Sequence, residues 1–188
     1  MDNNNDLLLI KRISQKDETA FSQFYDIHHR YIYTIIFNIL RDQAESEDLL
    51  QEIFIQIWNK VDSYDETLGN PLAWITRMTR NKSIDRLRSK GYKKRSAEID
   101  MDKFFDLSGE PGADDPDAGI ILSQEQSEVS KAIKSLKQNQ RELIVLSYFR
   151  GYSQSELAEH FDIPLGTVKT RMRAAMMILR DKLKKYIQ

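Results

Sequence analysis

"GYSQSELAEHFDIPLGTVKTRMR", residues 151–173, is the stretch that decides the fold class. Ser153 is followed at the third position by Glu156, the pattern of a capping box that opens a helix. "DIP" at 162–164 then breaks the chain, and a second helix resumes directly behind Pro164. At about 100° per residue, Val168, Met172, Ala175, Met176, Leu179 and Leu183 fall on one side of that second helix. This side can pack on Leu157, Ala158 and Phe161 of the first. The opposite side shows Gly166, Thr170, Arg173 and Ala174, flanked by Thr167, Lys169 and Arg171, and it holds no acid. Small residues allow close approach, cations meet phosphates, and Thr or Arg reach base edges. Those are the requirements of a helix that enters a major groove. Pro164 fixes the entry to the helix, and Gly166 leaves room beside the phosphates. Alone, the segment fits any DNA-binding regulator, and a solvated basic face on an ordinary helical hairpin would carry the same residues.

Composition bounds the rest. The 188 residues suffice for one or two small domains, and seven glycines and four prolines leave little material for the turns of an all-β protein. The absence of cysteine removes disulfides, thiol catalysis and cysteine-ligated zinc together, and fits a reducing cytosol. The first residues, MDNNNDLLLI, are acidic and carry too short an apolar run for a signal peptide. A cytoplasmic protein is expected.

The net charge of −1 conceals three blocks. Residues 77–95 hold nine basic residues against Asp85, and residues 169–185 hold seven against Asp181. Between them, residues 97–117 hold eight acids and only Lys103. The acidic stretch also contains "LSGEPGADDPDAG", so residues 97–122 read as a flexible acidic linker, with Phe104 and Phe105 as its two aromatics. No internal repeat is visible.

Everything outside the linker reads as helix. "AFSQFYDIHHRYIYTIIFNIL" places Phe21, Phe24, Tyr25, His28, Tyr31, Ile32, Ile35, Ile36 and Ile39 at spacings of three and four, as a buried face requires. "AESEDLLQEIFIQIWNK" follows, its acids gathered in the first turns where the helix dipole favours them. Asn70–Pro71 reads as an N-cap with proline at the first helical position. Further helix starts are legible at Ser123 with Gln126 and at Asn139 with Glu142, so four helices fit between 123 and 188. The expected architecture is all-α: an N-terminal helical bundle (1–96), the linker (97–122) and a four-helix C-terminal domain (123–188) containing the helix-turn-helix.

The helix from Pro71 has an unusual side, with Trp74, Arg77, Met78, Asn81, Asp85 and Arg88 within one arc. Cations that track a backbone beside an amide or aromatic suit a displaced single strand. Trp74 is expected to close the domain core instead.

Two motifs now agree. The 151–173 segment resembles the fourth conserved region of bacterial sigma factors of the extracytoplasmic-function (ECF) type. "AESEDLLQEIFIQIW" and "PLAWITRMTRNKSIDRLRS" resemble two helices of their second region, the one that docks on RNA polymerase and the one that opens the promoter. The resemblance covers nearly the whole chain outside the linker, in the family's order. It implies a non-enzymatic initiation factor without a cofactor, partnered by core RNA polymerase (its β′ and β subunits), promoter DNA and an anti-sigma factor. It further implies that Pro164, Gly166, Thr167, Lys169, Thr170, Arg171 and Arg173 meet the minus-35 duplex. Arg77, Asn81, Lys82, Arg86 and Arg88 would meet the minus-10 strand, with residues 63–70 as a pocket-building loop. Asp48, Gln51 and Glu52 would meet a coiled-coil element of β′. The chain departs from the family where Thr170 follows "GTVK", where Ala174 and Met176 replace arginines, and at Lys137, where proline is common. The rivals are a conventional two-domain helix-turn-helix regulator and a helical metal-dependent hydrolase. Adjacent His28 and His29 diverge by about 100° on a helix, and neither they nor Glu156 with His160 have an evident third ligand, so no metal is expected.

Overall fold

The computed structural model describes residues 3–89 and 128–184. The linker at 97–122, its Phe104 and Phe105, the start at Ser123 and the basic residues from Lys90 to Arg95 lie outside them. Among the described residues there are eight α-helices, two 3-10 turns and no strand. The chain divides into two compact units, Met1–Lys90 and Gly91–Gln188.

The first unit is a bundle built around α2 (Glu18–Leu40), which packs against α1 (Asn3–Ser14), α3 (Gln43–Lys60) and α4 (Pro71–Ser89). Carboxylates start two of these helices. Asp17 accepts from the Ala20 N–H and Asp42 from the Glu45 N–H, each at 3.0 Å, satisfying donors that the first turn leaves open. Phe24, His28, Ile32 and Ile36 recur every four residues along α2 and are fully buried with Ile39. Each fully buried apolar side chain among them contributes about 1.5–3 kcal/mol relative to exposure. Tyr25, expected on the same face, is 39% exposed: it sits one residue round from Phe24 and stacks on His29 with ring centroids 5.0 Å apart.

The two histidines have separate structural tasks. His28 lies inside the core and its Nε2 donates to Asp6 Oδ1 at 2.9 Å, tying α1 to α2. His29 turns outward, its Nδ1 at 3.0 Å from the Tyr25 carbonyl. No group of three potential metal ligands occurs among the described residues.

The second unit comprises α5 (128–134), α6 (Gln138–Arg150), α7 (Gln154–His160) and α8 (Leu165–Lys182). Its core joins Ile133, Leu143, Val145 and Leu157 to Val168, Met172, Ala175 and Leu179 of α8, with Ala158, Phe161 and Leu183 packed against them. Ser153 and Glu156 form a complete capping box. Asn139 does not start α6. The helix begins one residue earlier with Lys137 at the N-cap and no side-chain cap, while Gln138 donates to Glu142 at 3.0 Å and so occupies the glutamate. Met176, expected in the core, is 42% exposed, because one step of the helix carries it past the edge that α6 and α7 cover.

Candidate nucleic-acid interface

The C-terminal face is set by the turn at 161–164. Asp162 adopts a left-handed conformation (φ 50°), and Pro164 (φ −56°) then caps α8 with its carbonyl, which accepts from the Thr167 and Val168 N–H groups. With Val168, Met172, Ala175 and Leu179 buried, rotation leaves Gly166, Lys169, Thr170 and Arg173 exposed together. Arg171 and Thr167 are half-buried at the margins of this face. No side-chain hydrogen bond or ion pair engages Lys169, Arg171 or Arg173 among the described residues, so their donors face outward. The Thr170 hydroxyl donates back to the Gly166 carbonyl at 2.9 Å, leaving its lone pairs for an incoming donor. A Cβ built on Gly166 would meet nothing within 4 Å, so this glycine serves no packing need inside the chain.

The N-terminal face belongs to α4. Asn70 Oδ1 accepts from the Ala73 N–H at 2.8 Å, and Pro71 begins the helix. Ile75, Thr79, Ser83 and Leu87 are buried, and Tyr31 on α2 reaches the Thr76 hydroxyl at 3.0 Å. Those anchors turn Arg77, Asn81, Asp85 and Arg88 outward, the arc read from the sequence.

Trp74 does not close the core. It is half-buried at the head of α4, with Tyr64 tilted against it at 5.6 Å. Tyr64 belongs to the loop of two 3-10 turns, Val61–Ser63 and Glu66–Leu68, and its hydroxyl donates to the Gly69 carbonyl at 2.9 Å. Gly69 itself lies at φ 133°, a conformation that excludes ordinary side chains. Asp65 accepts from both the Thr67 hydroxyl (2.7 Å) and the Thr67 N–H (2.9 Å), which hold its carboxyl below the usual range. The braced loop and the start of α4 enclose a small pocket lined by Ser63, Asp65, Leu68, Gly69, Ala73, Trp74 and Arg77. A flat apolar wall beside a guanidinium is chemistry suited to an unstacked base.

Lys82 and Arg86 point elsewhere. Arg86 donates to Glu45 at 3.0 Å and to Glu52 at 2.5 Å, and Lys82 lies 3.6 Å from Glu52. The hydrogen bonds to Glu52 and then Glu45 hold the Arg86 guanidinium even more firmly in its charged form. The structure therefore joins Glu52 of the expected polymerase-facing row to two cations of the expected strand-facing set.

The outer side of α3 exposes Asp48, Gln51 and Glu52 over buried Leu49, Leu50, Ile53 and Ile57. Ile55 is also 60% exposed there, one turn beyond Gln51. Sequence periodicity grouped its apolar neighbours and passed it over. The signal was an isoleucine at the i+4 position of a polar row.

With this geometry in place, similarity to known proteins decides the family. Residues 24–92 match the family described as Sigma-70 region 2, and residues 132–181 match Sigma-70, region 4. The ECF RNA polymerase sigma factor SigK of Mycolicibacterium vanbaalenii is 30% identical over 172 residues, 92% of this chain and 86% of that protein. SigK of Mycobacterium bovis is 30% identical over 92% of this chain and 90% of its own. The chain belongs to the ECF sigma factors. It is a promoter-directing initiation factor rather than an enzyme. Among solved structures, Rhodobacter sphaeroides SigE in complex with the anti-sigma ChrR aligns at 24% identity over 96% of this chain and 99% of that one, with a TM-score of 0.47. The region 2 match contains α3, the 63–70 loop and α4, and the region 4 match contains all of α6 and α7 and residues 165–181 of α8. No helix among the described residues is long and apolar enough to cross a membrane.

Proposed function

We propose that this sigma factor grips a promoter at two points and delivers both to RNA polymerase in the cytoplasm. Residues 123–188 form the minus-35 grip. Gly166, Thr167, Lys169, Thr170, Arg171 and Arg173, entered through Pro164, meet duplex in the major groove, with cations on phosphates and Thr170 or Arg173 on base edges. Residues 1–96 form the minus-10 grip. Arg77, Asn81 and Arg88, with Lys82 and Arg86 on the flank, meet the opened strand, and the 63–70 loop receives a displaced base against Trp74. Asp48, Gln51 and Glu52, with Ile55 among them, dock on the polymerase β′ subunit. The 97–122 tether raises the effective concentration of the second grip once the first is engaged.

Energetics favour this division of labour. Opening duplex forfeits about 1.4 kcal/mol of stacking per base-pair step, which is recovered by capturing unstacked bases. A helix that reads duplex needs no pocket, whereas one that captures a strand does. The observation that carries the proposal is that contrast: a pocket walled by Trp74 and Arg77 at the head of α4, with exposed Asn81 one turn beyond Arg77, and an open cation-bearing face on α8. An anti-sigma factor that masks these faces follows from family membership.

Run-off transcription with purified core polymerase and a candidate promoter tests the reading. Association with core and start-site-specific initiation are expected. Stable duplex binding by the pure chain with neither of these would favour a conventional regulator.

A further inference from the structure

The carboxylate of Glu52 is claimed from two sides. Toward solvent it stands in the row with Asp48 and Gln51 and is 47% exposed. Toward α4 it receives Arg86 and faces Lys82. The two cations are not held alike. Arg86 is shared between Glu45 and Glu52 through two separate nitrogens, and its side chain is only 24% exposed. Lys82 reaches Glu52 alone, at 3.6 Å, with one-third of its side chain exposed. An exposed, single-contact ammonium pair contributes little and exchanges readily, whereas a guanidinium fork on two carboxylates stays.

We propose that Glu52 is an internal counter-charge for Lys82. In the free chain it draws the lysine away from the strand-facing side of α4. A cationic group docking on Glu52 from outside hands that lysine to a phosphate of the captured strand. Lys82 follows Asn81 directly, so its four-carbon stem leaves Glu52 and swings to the exposed face by rotamer change alone. Arg86 remains on Glu45 and keeps α4 seated on α3 during the exchange. One carboxylate thereby links occupancy of the docking row to the positive charge offered beside Asn81. The identity of the docking partner as polymerase rests on the proposed function, but the charge exchange is a property of the chain alone.

The test uses the full chain and a labelled short oligothymidylate, with affinity followed against salt. Each phosphate contact on a single strand adds about 0.7 to the slope of log affinity against log salt. Glu52→Gln is expected to steepen that slope by about 0.7, and adding Lys82→Met to Glu52→Gln to cancel the gain. Glu47→Gln removes the same charge from α3 without releasing Lys82, and no steepening is expected. A Glu52→Gln slope equal to wild type, a gain that survives Lys82→Met, or an equal gain from Glu47→Gln would each overturn the proposal. The glutamine amide oxygen still accepts from Arg86, so folding is retained. Were the melting temperature to fall, Glu52→Asp shortens the side chain and severs the longer Lys82 contact first, with the same steepening expected.

A second arm repeats the titration in complex with core polymerase. There Lys82→Met in the otherwise wild-type chain should flatten the slope by about 0.7, and an unchanged slope would overturn the hand-over. Failure of the chain to associate with core would instead refute the docking reading and leave the free-chain result standing.

Discussion

The two basic helices differ in what answers their charge. On α8, Lys169, Arg171 and Arg173 meet no acid among the described residues. On α4, Lys82 and Arg86 are already answered by Glu52 and Glu45 of α3. A helix that reads duplex can afford open charge, because duplex phosphate is present before any melting. On α4 only the cations beside α3 are quenched, while Arg77 is exposed further round the same helix. The lesson is that a count of basic residues measures neither helix's readiness; the partner helix does.

The largest expected effect breaks one side of this comparison and spares the other. Leu157 is fully buried between α7 and α8 and has no access to DNA. Leu157→Ala should destabilise the C-terminal unit by about 2–5 kcal/mol, the range of buried leucine truncations. Duplex binding should fall with it, while oligothymidylate binding by the same protein stays near wild type. Equal loss on both probes would show that the two grips do not work as separate elements. Asn81→Ala is the mirror experiment. Loss of a base-edge contact worth about 1–3 kcal/mol should weaken initiation about 5–150-fold on closed duplex, and a pre-melted template should restore part of it. The same deficit on both templates would remove Asn81 from strand capture.

Smaller effects sharpen the docking row. Ile55→Ala removes apolar surface that is 60% exposed, so the free chain should keep its melting temperature. Core affinity should fall by about 5–30-fold, corresponding to about 1–2 kcal/mol of lost burial. A pull-down titration against core polymerase decides it, and unchanged affinity would place the isoleucine outside the interface.

What the sequence could disclose follows from the range of each interaction. Periodicities of one helix were legible: the α2 core stripe, the buried side of α8 and the outward arc of α4 all follow from residues three and four apart. So were the local caps at Asn70 and Ser153, where donor and acceptor lie within three residues. Features that need a second element were not. Trp74 reads as core until Tyr64 arrives from the preceding loop and holds it at the surface. The pairing of Arg86 with α3 is equally hidden, since nothing in a charge block names its partner 34 residues away. Met176 failed for the same reason: its angle on α8 was right, but the width of the cover supplied by α6 and α7 is not written in α8.

The smallest expected effect is also the one in which stability and binding move oppositely. Gly166 lies in the first turn of α8 with ordinary backbone geometry, and an added Cβ would meet nothing within 4 Å. The strained position of this turn is Asp162 at φ 50°, so the fold has no need of glycine at 166. Glycine inside a helix costs about 0.5–1 kcal/mol relative to alanine, and Gly166→Ala should raise the melting temperature by about 2–8 °C for a unit of this size. If the helix approaches the phosphates closely there, the new methyl should lower duplex affinity by up to about fivefold, or about 1 kcal/mol. Oligothymidylate binding should not respond, because that probe is expected on α4. Stability rising while duplex affinity holds would mean that the groove-facing side of α8 begins further along, at Lys169 and Thr170. A rise in stability with a selective fall on duplex assigns the glycine to the approach itself, since nothing inside the protein asks for it.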